Sequence, residues 1–181
     1  LKKSWQLSGN DRKCLEKMLS EINVDIIPMT KRDAFALSDP HTGSLLWLKN
    51  HRVLARKAYQ PGSVFKIITA YAALSEGRVD PDRIFVCQGA KTKIGPSHAQ
   101  VECWLHAGHG PVNLSKALAL SCNLYFAELG KKIGSADILS AARDFGLGYS
   151  SGSDIGGEIS GWLPSVATSD DAARLATGQG K

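Results

Sequence analysis

The sequence lacks any long hydrophobic run, which excludes a membrane-spanning helix among its 181 residues. No stretch approaches the roughly 18 consecutive apolar residues that such a helix needs, and no signal peptide precedes Trp5. The protein is therefore expected either to be cytosolic or to have lost an export or anchor segment. Internal repeats and low-complexity tracts are also missing. A composition of 43% hydrophobic and 22% charged residues predicts one soluble globular domain, or part of one, over residues 1–181.

The sequence also lacks a basic stripe interleaved with stacking aromatic residues. Its net charge of +5 comes from 22 basic against 17 acidic residues, and the basic residues are scattered in short pairs such as Lys2-Lys3 and Lys131-Lys132. This pattern is typical of a solvated surface and excludes a nucleic-acid groove, so no nucleic-acid partner is expected. A weak attraction to an anionic cell envelope is compatible with the charge.

Hydrophobic spacing predicts a hairpin and several helices. An amphipathic helix is predicted over residues 10–22, and two short apolar runs around Asp39-Pro40-His41-Thr42-Gly43 predict a β-hairpin. Apolar residues surround nearly the whole circumference of a helix from Ser63 to Ser75, which predicts a buried helix. Residues 80–111 show no clear period and predict a loop with short strands. Further helices are predicted in "NLSKALAL", "LYFAELGKKIG" and "SADILSAARDFG", and a capped helix in "TSDDAARLATGQGK".

A serine and a lysine stand three positions apart at the start of the apolar helix, in "YQPGSVFK". Residues three apart share one helix face, so the amine of Lys66 can approach the hydroxyl of Ser63. Burial and the positive end of the helix dipole both disfavour a charged lysine there, and a neutral amine beside a hydroxyl is a general base beside a nucleophile. The alternative is a lysine that extends from the helix start to water. Pro61 and Gly62 favour the catalytic interpretation, because they form a tight turn that presents Ser63.

The stretch "PGSVFK" resembles the first motif of the penicillin-binding proteins, the serine acyltransferases that cross-link peptidoglycan. Their second motif, S-x-N, is matched in order and helical setting by Ser121-Cys122-Asn123. "HAGHGPVNLSKALALSCN" is similar to the lead-in to that motif in the elongation-type class B branch. "LSDPHTGSLLWL", "SDIGGEISGWLPS" and "ATGQG" also resemble family segments. The resemblance implies an α+β, β-lactamase/transpeptidase-like fold, with a mostly helical half and an N-terminal β-hairpin.

The resemblance also implies a role for each motif residue. Ser63 would attack the penultimate D-alanine carbonyl of a D-alanyl-D-alanine stem peptide while Lys66 takes its proton. Ser121 would pass a proton to the leaving D-alanine, and Asn123 would hold Lys66 and bind the substrate's amide backbone. The implied partners are peptidoglycan stem peptides, β-lactam antibiotics and a glycosyltransferase of the wall-synthesis complex. The implied location is the bacterial cell envelope, at the extracytoplasmic face of the inner membrane, with an anchor outside this chain.

The resemblance fails at the family's third motif, K-T-G or K-S-G, which does not follow Asn123. "KTKIG", Lys91 to Gly95, precedes the second motif and has Lys93 where glycine would let substrate approach, so it is interpreted as a surface loop. The family's C-terminal sheet strands are therefore expected to be missing, and this partial domain is expected to be weakly active or inactive. The alternative is a non-catalytic sensor or structural module of a cell-wall complex with the same fold.

Cysteines and histidines are concentrated between the two motifs, in "VCQGAKTKIGPSHAQVECWLHAGHG". In an exported protein the first expectation is a disulfide between Cys87 and Cys103, which would stabilise by about 3 kcal/mol in the chain-entropy model. The sharper hypothesis is a structural zinc ion, and free thiols are the third alternative. The proposed zinc ligands are Cys87, Cys103, His106 and His109. Cys122 is interpreted as a small buried filler.

Overall fold

The computed structural model describes residues 34–75, 77–89, 92–94, 99–153, 155–165 and 168–179. The helix predicted over residues 10–22 lies outside these ranges. The described chain divides into two compact units, residues 34–57 with 152–159 and residues 58–151 with 160–179. None of the described helices is both long enough and apolar enough to cross a bilayer.

The first unit contains the predicted β-hairpin. Strand β1 (Phe35–Ser38) pairs antiparallel with strand β2 (Leu45–Lys49), and helix α1 (His51–Arg56) follows. In the connecting turn, the Gly43 N–H donates to the Asp39 carbonyl at 2.8 Å, and Gly43 takes φ +70°. Glycine adopts such a positive φ without steric cost, which is the turn chemistry that the sequence indicated. The hairpin prediction is confirmed.

The second unit contains two small antiparallel ribbons. Strand β3 (Phe85–Cys87) pairs with β6 (Gly110–Val112), and strand β4 (Thr92–Ile94) pairs with β5 (Ala99–Val101). The prediction of a loop with short strands over this region is confirmed. Strand β4 belongs to "KTKIG", so the middle of that segment is a strand where a surface loop was expected.

The helices of the second unit follow the predicted segments. A 3-10 helix (Gly62–Phe65) leads directly into α2, and the capped helix has a capping box between Thr168 and Asp171. At Gly130 an added Cβ would collide with Ala176, so this glycine allows two helices to pack closely. The helices are α2 (Lys66–Ser75), α3 (Leu114–Ala119), α4 (Asn123–Ile133), α5 (Ser135–Asp144) and α6 (Ser169–Ala176).

The prediction that the apolar helix is buried all round is wrong. One face of α2 packs in the core through Ile68, Ala72 and Ala73, but the opposite face is exposed among the described residues. Spacing shows which side chains are apolar, whereas burial also depends on which elements lie opposite them. The exposed side chains are Val64, Ile67, Tyr71 and Leu74.

Candidate active site

Ser63 lies at the entrance of α2 on a tight turn. Pro61 has φ −69° and Gly62 has φ +58°, so each residue suits the conformation that it takes. A side chain at Gly178, just after α6, would collide with the Gly62 carbonyl, so glycine lets the end of α6 pack against the turn. Ser63 is exposed, and its position in the first turn leaves its N–H without a partner inside the 3-10 helix.

Lys66 is fully buried, with 1% of its surface exposed. Its Nζ atom lies 3.2 Å from Ser63 Oγ, 2.8 Å from Ser121 Oγ, 2.9 Å from the Ser121 carbonyl oxygen and 2.6 Å from Asn123 Oδ1. The 3-10 helix supplies Ser63 and the start of α2 supplies Lys66. The connection from α3 to α4 supplies the second motif. The four residues predicted to be catalytic therefore meet around one nitrogen atom.

The neutral form of the Lys66 amine can make these contacts. The Ser121 carbonyl and Asn123 Oδ1 can only accept hydrogen bonds, so they take both N–H groups of a neutral amine. Its lone pair is then left to accept a hydrogen bond from a serine hydroxyl. Burial lowers the pKa of Lys66 because a charged amine is poorly solvated there, although the Cys103 and Cys122 sulfurs act in the opposite direction. The pKa shift is toward the neutral form that a general base needs, and the contacts allow that form.

Ser121 takes a left-handed backbone conformation, with φ +51°. The Cys122 N–H donates to the Ala117 carbonyl at 2.8 Å, and the Ser121 N–H donates to the Leu118 carbonyl at 3.0 Å. This pair of bonds is the Schellman motif that ends α3, and Ser121 occupies the position where glycine is usual. A serine there costs free energy, and such strain is commonly retained at functional sites.

Asn123 connects Lys66 to the segment that follows β5. Its Oδ1 atom accepts from Lys66, and its Nδ2 atom donates to the Glu102 carbonyl at 2.8 Å. Both ends of the amide therefore have a partner, which fixes its orientation. Asn123 is also the first residue of α4, so the helix positions its backbone.

The middle residue of the second motif, Cys122, belongs to a separate buried group that we call the thiol cluster: Cys87, Cys103, His109 and Cys122. Their ligand atoms all lie within 4.8 Å of one another. The disulfide expected between Cys87 and Cys103 is not formed: all three cysteines of the cluster are free thiols. The β3–β6 register places Cys87 opposite Gly110, beside His109. Both sulfurs consequently contact His109 Nδ1, at 3.6 Å from Cys87 and 3.2 Å from Cys103.

The membership of the thiol cluster differs from the predicted zinc ligands. His106 is exposed and does not belong to the cluster, whereas Cys122, interpreted as a filler, does. Burial acts to raise the pKa of Cys87, but hydrogen bonds, chiefly with the backbone and side chain of His109, outweigh it and lower that pKa to about 7. Burial raises the pKa of Cys122 to about 12. The thiol group in the second motif is therefore protonated when no metal is bound.

The atoms of the thiol cluster are close enough together to hold one zinc ion. Zinc at about 2.3 Å from sulfur implies sulfur–sulfur edges of about 3.8 Å. The Sγ atoms of Cys103 and Cys122 are 4.0 Å apart. Three cysteines and one histidine are also a ligand set that structural zinc sites use. Among the described residues, His109 Nε2 is a buried nitrogen with no hydrogen-bond partner.

Two residues that contact the second motif or the residue before it were not predicted from the sequence. Glu102 contributes its carbonyl to Asn123, and the Trp104 indole N–H donates to the Leu120 carbonyl at 3.0 Å. The sequence offers one signal for them, which is their position on either side of Cys103. A backbone contact and an exposed aromatic residue leave no periodic pattern.

Comparisons of the sequence agree with the motifs. The family model "Penicillin binding protein transpeptidase domain" matches residues 34–181. The chain is 34% identical over 142 residues to stage V sporulation protein D of Bacillus subtilis (strain 168), covering 78% of this chain and 21% of that protein. It is 35% identical over 106 residues to peptidoglycan D,D-transpeptidase MrdA of Acinetobacter baumannii, covering 59% of this chain and 16% of that protein. The chain therefore spans only a small part of the length of these relatives.

Solved structures agree with the predicted fold. Pseudomonas aeruginosa PBP2 in complex with WCK 5153 matches 73% of this chain with a TM-score of 0.64 and 28% identity, over 32% of its own chain. The complex between PBP2 and MreC from Helicobacter pylori matches 93% of this chain with a TM-score of 0.72 and 23% identity, over 38% of its own chain, and supports the fold alone. The α+β transpeptidase-like prediction is confirmed. The chain belongs to the penicillin-binding protein transpeptidase domain family.

Proposed function

We propose that the protein is a peptidoglycan D,D-transpeptidase in which Ser63 is the nucleophile and Lys66 is its general base. One observation carries the proposal: the buried Lys66 amine lies 3.2 Å from Ser63 Oγ and is held in place by Ser121 and Asn123. An amine that is neutral and within hydrogen-bonding distance of a hydroxyl can remove its proton as the oxygen attacks. The relative from Acinetobacter baumannii is named a peptidoglycan D,D-transpeptidase.

The reaction would proceed in two steps. Ser63 Oγ attacks the carbonyl of the penultimate D-alanine, and its proton goes to Lys66 Nζ. The bond to the terminal D-alanine nitrogen then breaks, and that nitrogen receives a proton from Ser121 Oγ, which Lys66 replenishes at 2.8 Å. The amine of a second stem peptide attacks the resulting acyl-serine and releases Ser63. A β-lactam would acylate Ser63 by the same first step and leave slowly.

The negative oxygen of the tetrahedral intermediate needs hydrogen-bond donors. The Ser63 N–H is one candidate, because it has no partner within the 3-10 helix. In the family the second donor belongs to the strand of the K-T-G motif, which does not follow Asn123 in this sequence. Loss of one such donor typically lowers the rate by about a hundred- to a thousandfold. Tests of the reaction therefore belong on a protein that carries both donors.

The test is covalent labelling with a fluorescent penicillin. The complete natural protein should form an adduct that peptide mass mapping places on Ser63, and Ser63→Ala should abolish it. Ser75→Ala is the matched control, since it removes an exposed serine at the other end of the same helix and should leave labelling unchanged. A complete protein that forms no adduct would contradict the enzyme proposal.

The second candidate function is a sensor or structural module of a cell-wall complex. It shares the fold and the Ser63–Lys66 contact with the transpeptidase, so acylation alone does not separate the two candidates. Such a module would form the acyl-serine, or bind the ligand, without turnover. Release of D-alanine from a D-alanyl-D-alanine stem peptide separates the two candidates, because only the transpeptidase releases it repeatedly.

We infer that the protein works in the bacterial cell envelope beside other peptidoglycan enzymes. A solved structure of a peptidoglycan synthase complex that coordinates polymerization and crosslinking matches 70% of this chain and 23% of its own chain, with 28% identity and a TM-score of 0.58. By this likeness the proposed partner is the polymerising glycosyltransferase, and the proposed location is the extracytoplasmic face of the inner membrane. Co-purification with that glycosyltransferase after envelope crosslinking tests the proposed partner and the proposed location. Recovery of the protein from the cytosol alone would contradict both proposals.

We also propose that the thiol cluster binds one structural zinc ion. The proposal is supported by the short distances among its four ligand atoms and by the preference of zinc for sulfur and imidazole. The test is the metal content of two matched histidine variants of the complete natural protein. His109→Ala should lose the zinc, whereas His106→Ala should keep one ion per chain, since His106 lies outside the cluster. Equal metal content in both variants would contradict the assignment.

A further inference from the structure

Trp104 is an exposed aromatic residue with a fixed position. Although 61% of its surface is exposed, its indole N–H donates to the Leu120 carbonyl at 3.0 Å. Its ring also meets the His109 ring edge to face, with centroids 5.3 Å apart. Trp162 is similarly exposed, at 68%, and has no hydrogen bond among the described residues. The two tryptophans differ in anchoring rather than in exposure.

The carbonyl that Trp104 binds precedes the strained residue of the second motif. Leu120 is the C-terminal cap of α3, and helix ends leave carbonyls without partners inside the helix. Ser121 follows in the left-handed conformation, which a residue with a side chain leaves unless its surroundings hold it. The Trp104 N–H therefore holds the chain at the peptide group that enters Ser121.

The neighbours of Trp104 contact the same loop. Glu102, Cys103 and Trp104 form what we call the clamp segment. The Glu102 carbonyl accepts from Asn123 Nδ2 at 2.8 Å, and Cys103 Sγ lies 4.0 Å from Cys122 Sγ. The clamp segment thus contacts Asn123, Cys122 and the residue that precedes Ser121. Within it, Trp104 acts through a side-chain hydrogen bond that lies outside the thiol cluster.

We propose that Trp104 is a positioning residue for the acylation of Ser63, a role that rests on the proposed function above. By fixing the Leu120 carbonyl, Trp104 holds Ser121 in the conformation that directs both its hydroxyl and its carbonyl at Lys66. Without the indole N–H, Ser121 relaxes and its Oγ atom moves from the 2.8 Å contact with Lys66 Nζ. The chemical step then slows, while the fold is retained because the Trp104 ring is mostly outside the core.

The experiment removes the N–H and keeps the ring. In the complete natural protein, Trp104 is replaced by phenylalanine and, in a second variant, by benzothienylalanine, which has the shape of tryptophan without the donor. Trp162→Phe is the matched control. For each protein, labelling with a fluorescent penicillin is resolved into the dissociation constant of the initial complex and the rate constant of acylation. Thermal unfolding is measured alongside.

Both Trp104 variants should acylate on the order of ten- to a hundredfold more slowly, with an unchanged dissociation constant and melting temperature. Trp162→Phe should behave as the natural protein. Natural acylation rates in both Trp104 variants would overturn the positioning role and leave the proposed function intact. Failure of the natural protein itself to label at Ser63 would overturn the proposed function, and the role of Trp104 with it.

Discussion

The residues of the second motif belong to two polar groups, and these groups differ in how many of their polar atoms have hydrogen-bond partners. Ser121 and Asn123 contact the Lys66 amine, which has four partners within 3.2 Å. Cys122, between them, joins the thiol cluster, where two sulfurs share one nitrogen of His109. A network whose polar atoms all have partners keeps a defined geometry. The thiol cluster is the group for which we propose a metal ion. We propose that the residues around Lys66 carry out the reaction and that the thiol cluster stabilises the fold beside them.

The strongest test of the lysine network is its removal. Lys66→Ala should slow acylation of Ser63 on the order of a hundred- to ten-thousandfold, because the general base is lost. Lys66→Arg should not restore the rate, since a guanidinium group stays charged at any relevant pH. The rate of labelling by a fluorescent penicillin is the measurement. Lys116→Ala, which removes an exposed lysine bonded to the Pro111 carbonyl, is the control. A Lys66→Ala protein that labels at the natural rate would refute the assignment.

Removal of metal is the corresponding test of the thiol cluster. An ion present at a thousand times its dissociation constant stabilises a protein by about 4 kcal/mol, so the metal-free protein should melt roughly 10 °C lower. Thermal unfolding before and after chelation is the measurement, with zinc added back to restore the melting temperature. Chelation should not lower the melting temperature of the Cys103→Ser variant any further, because that variant has already lost a ligand. Identical melting with and without chelator would show that the cluster is complete as free thiols.

Two substitutions of Ser121 separate the effect of its hydroxyl on the acylation rate from the effect of its strained backbone on stability. Both Ser121→Gly and Ser121→Ala should slow acylation by about a hundredfold, because both lose the proton-transferring hydroxyl. The glycine variant should be more stable than the alanine variant by about 1 kcal/mol, since glycine takes φ +51° without strain. Acylation rates and urea unfolding give the two quantities. Equal stability of the two variants would mean that the left-handed conformation is not strained.

Much of the fold could be predicted from the sequence, because helices and the hairpin have local signals. The apolar spacing of the helices and the turn at Gly43 depend on nearby residues alone. Strands β3 to β6 have three residues each, too few to show a two-residue period. The exposed face of α2 was predicted to be buried, because spacing carries no information about what lies opposite Ile67 and Tyr71.

The site was predictable where its motifs are contiguous and unpredictable where pairing assembles it. Ser63 with Lys66, and Ser121 with Asn123, are short motifs whose joint order indicates one site. The thiol cluster instead depends on the β3–β6 register, which brings Cys87 beside His109, and on Cys122 from a helix start. Sequence proximity favoured His106, which the structure places outside the cluster. The cluster could not be predicted because the sequence does not show which short strands pair with each other.

The pH dependence of acylation tests the burial of Lys66 directly. Burial lowers the pKa of Lys66 from its ordinary value of 10.5, with the Cys103 and Cys122 sulfurs opposing the shift. Only the neutral amine acts as a base, so the rate should rise about tenfold per pH unit below this pKa and level off above it. The plateau should begin below pH 10.5, since the shift is downward.

The rate of labelling by a fluorescent penicillin, corrected for the probe's own hydrolysis, gives the profile. Ser75→Ala should give the same profile, because Ser75 lies at the far end of α2 from Lys66. A rate that keeps rising through pH 10.5 would mean that the amine titrates as an exposed lysine does. In that case the four contacts around Lys66 would favour its charged form. A charged amine cannot take the proton of Ser63, so Lys66 would not be the general base.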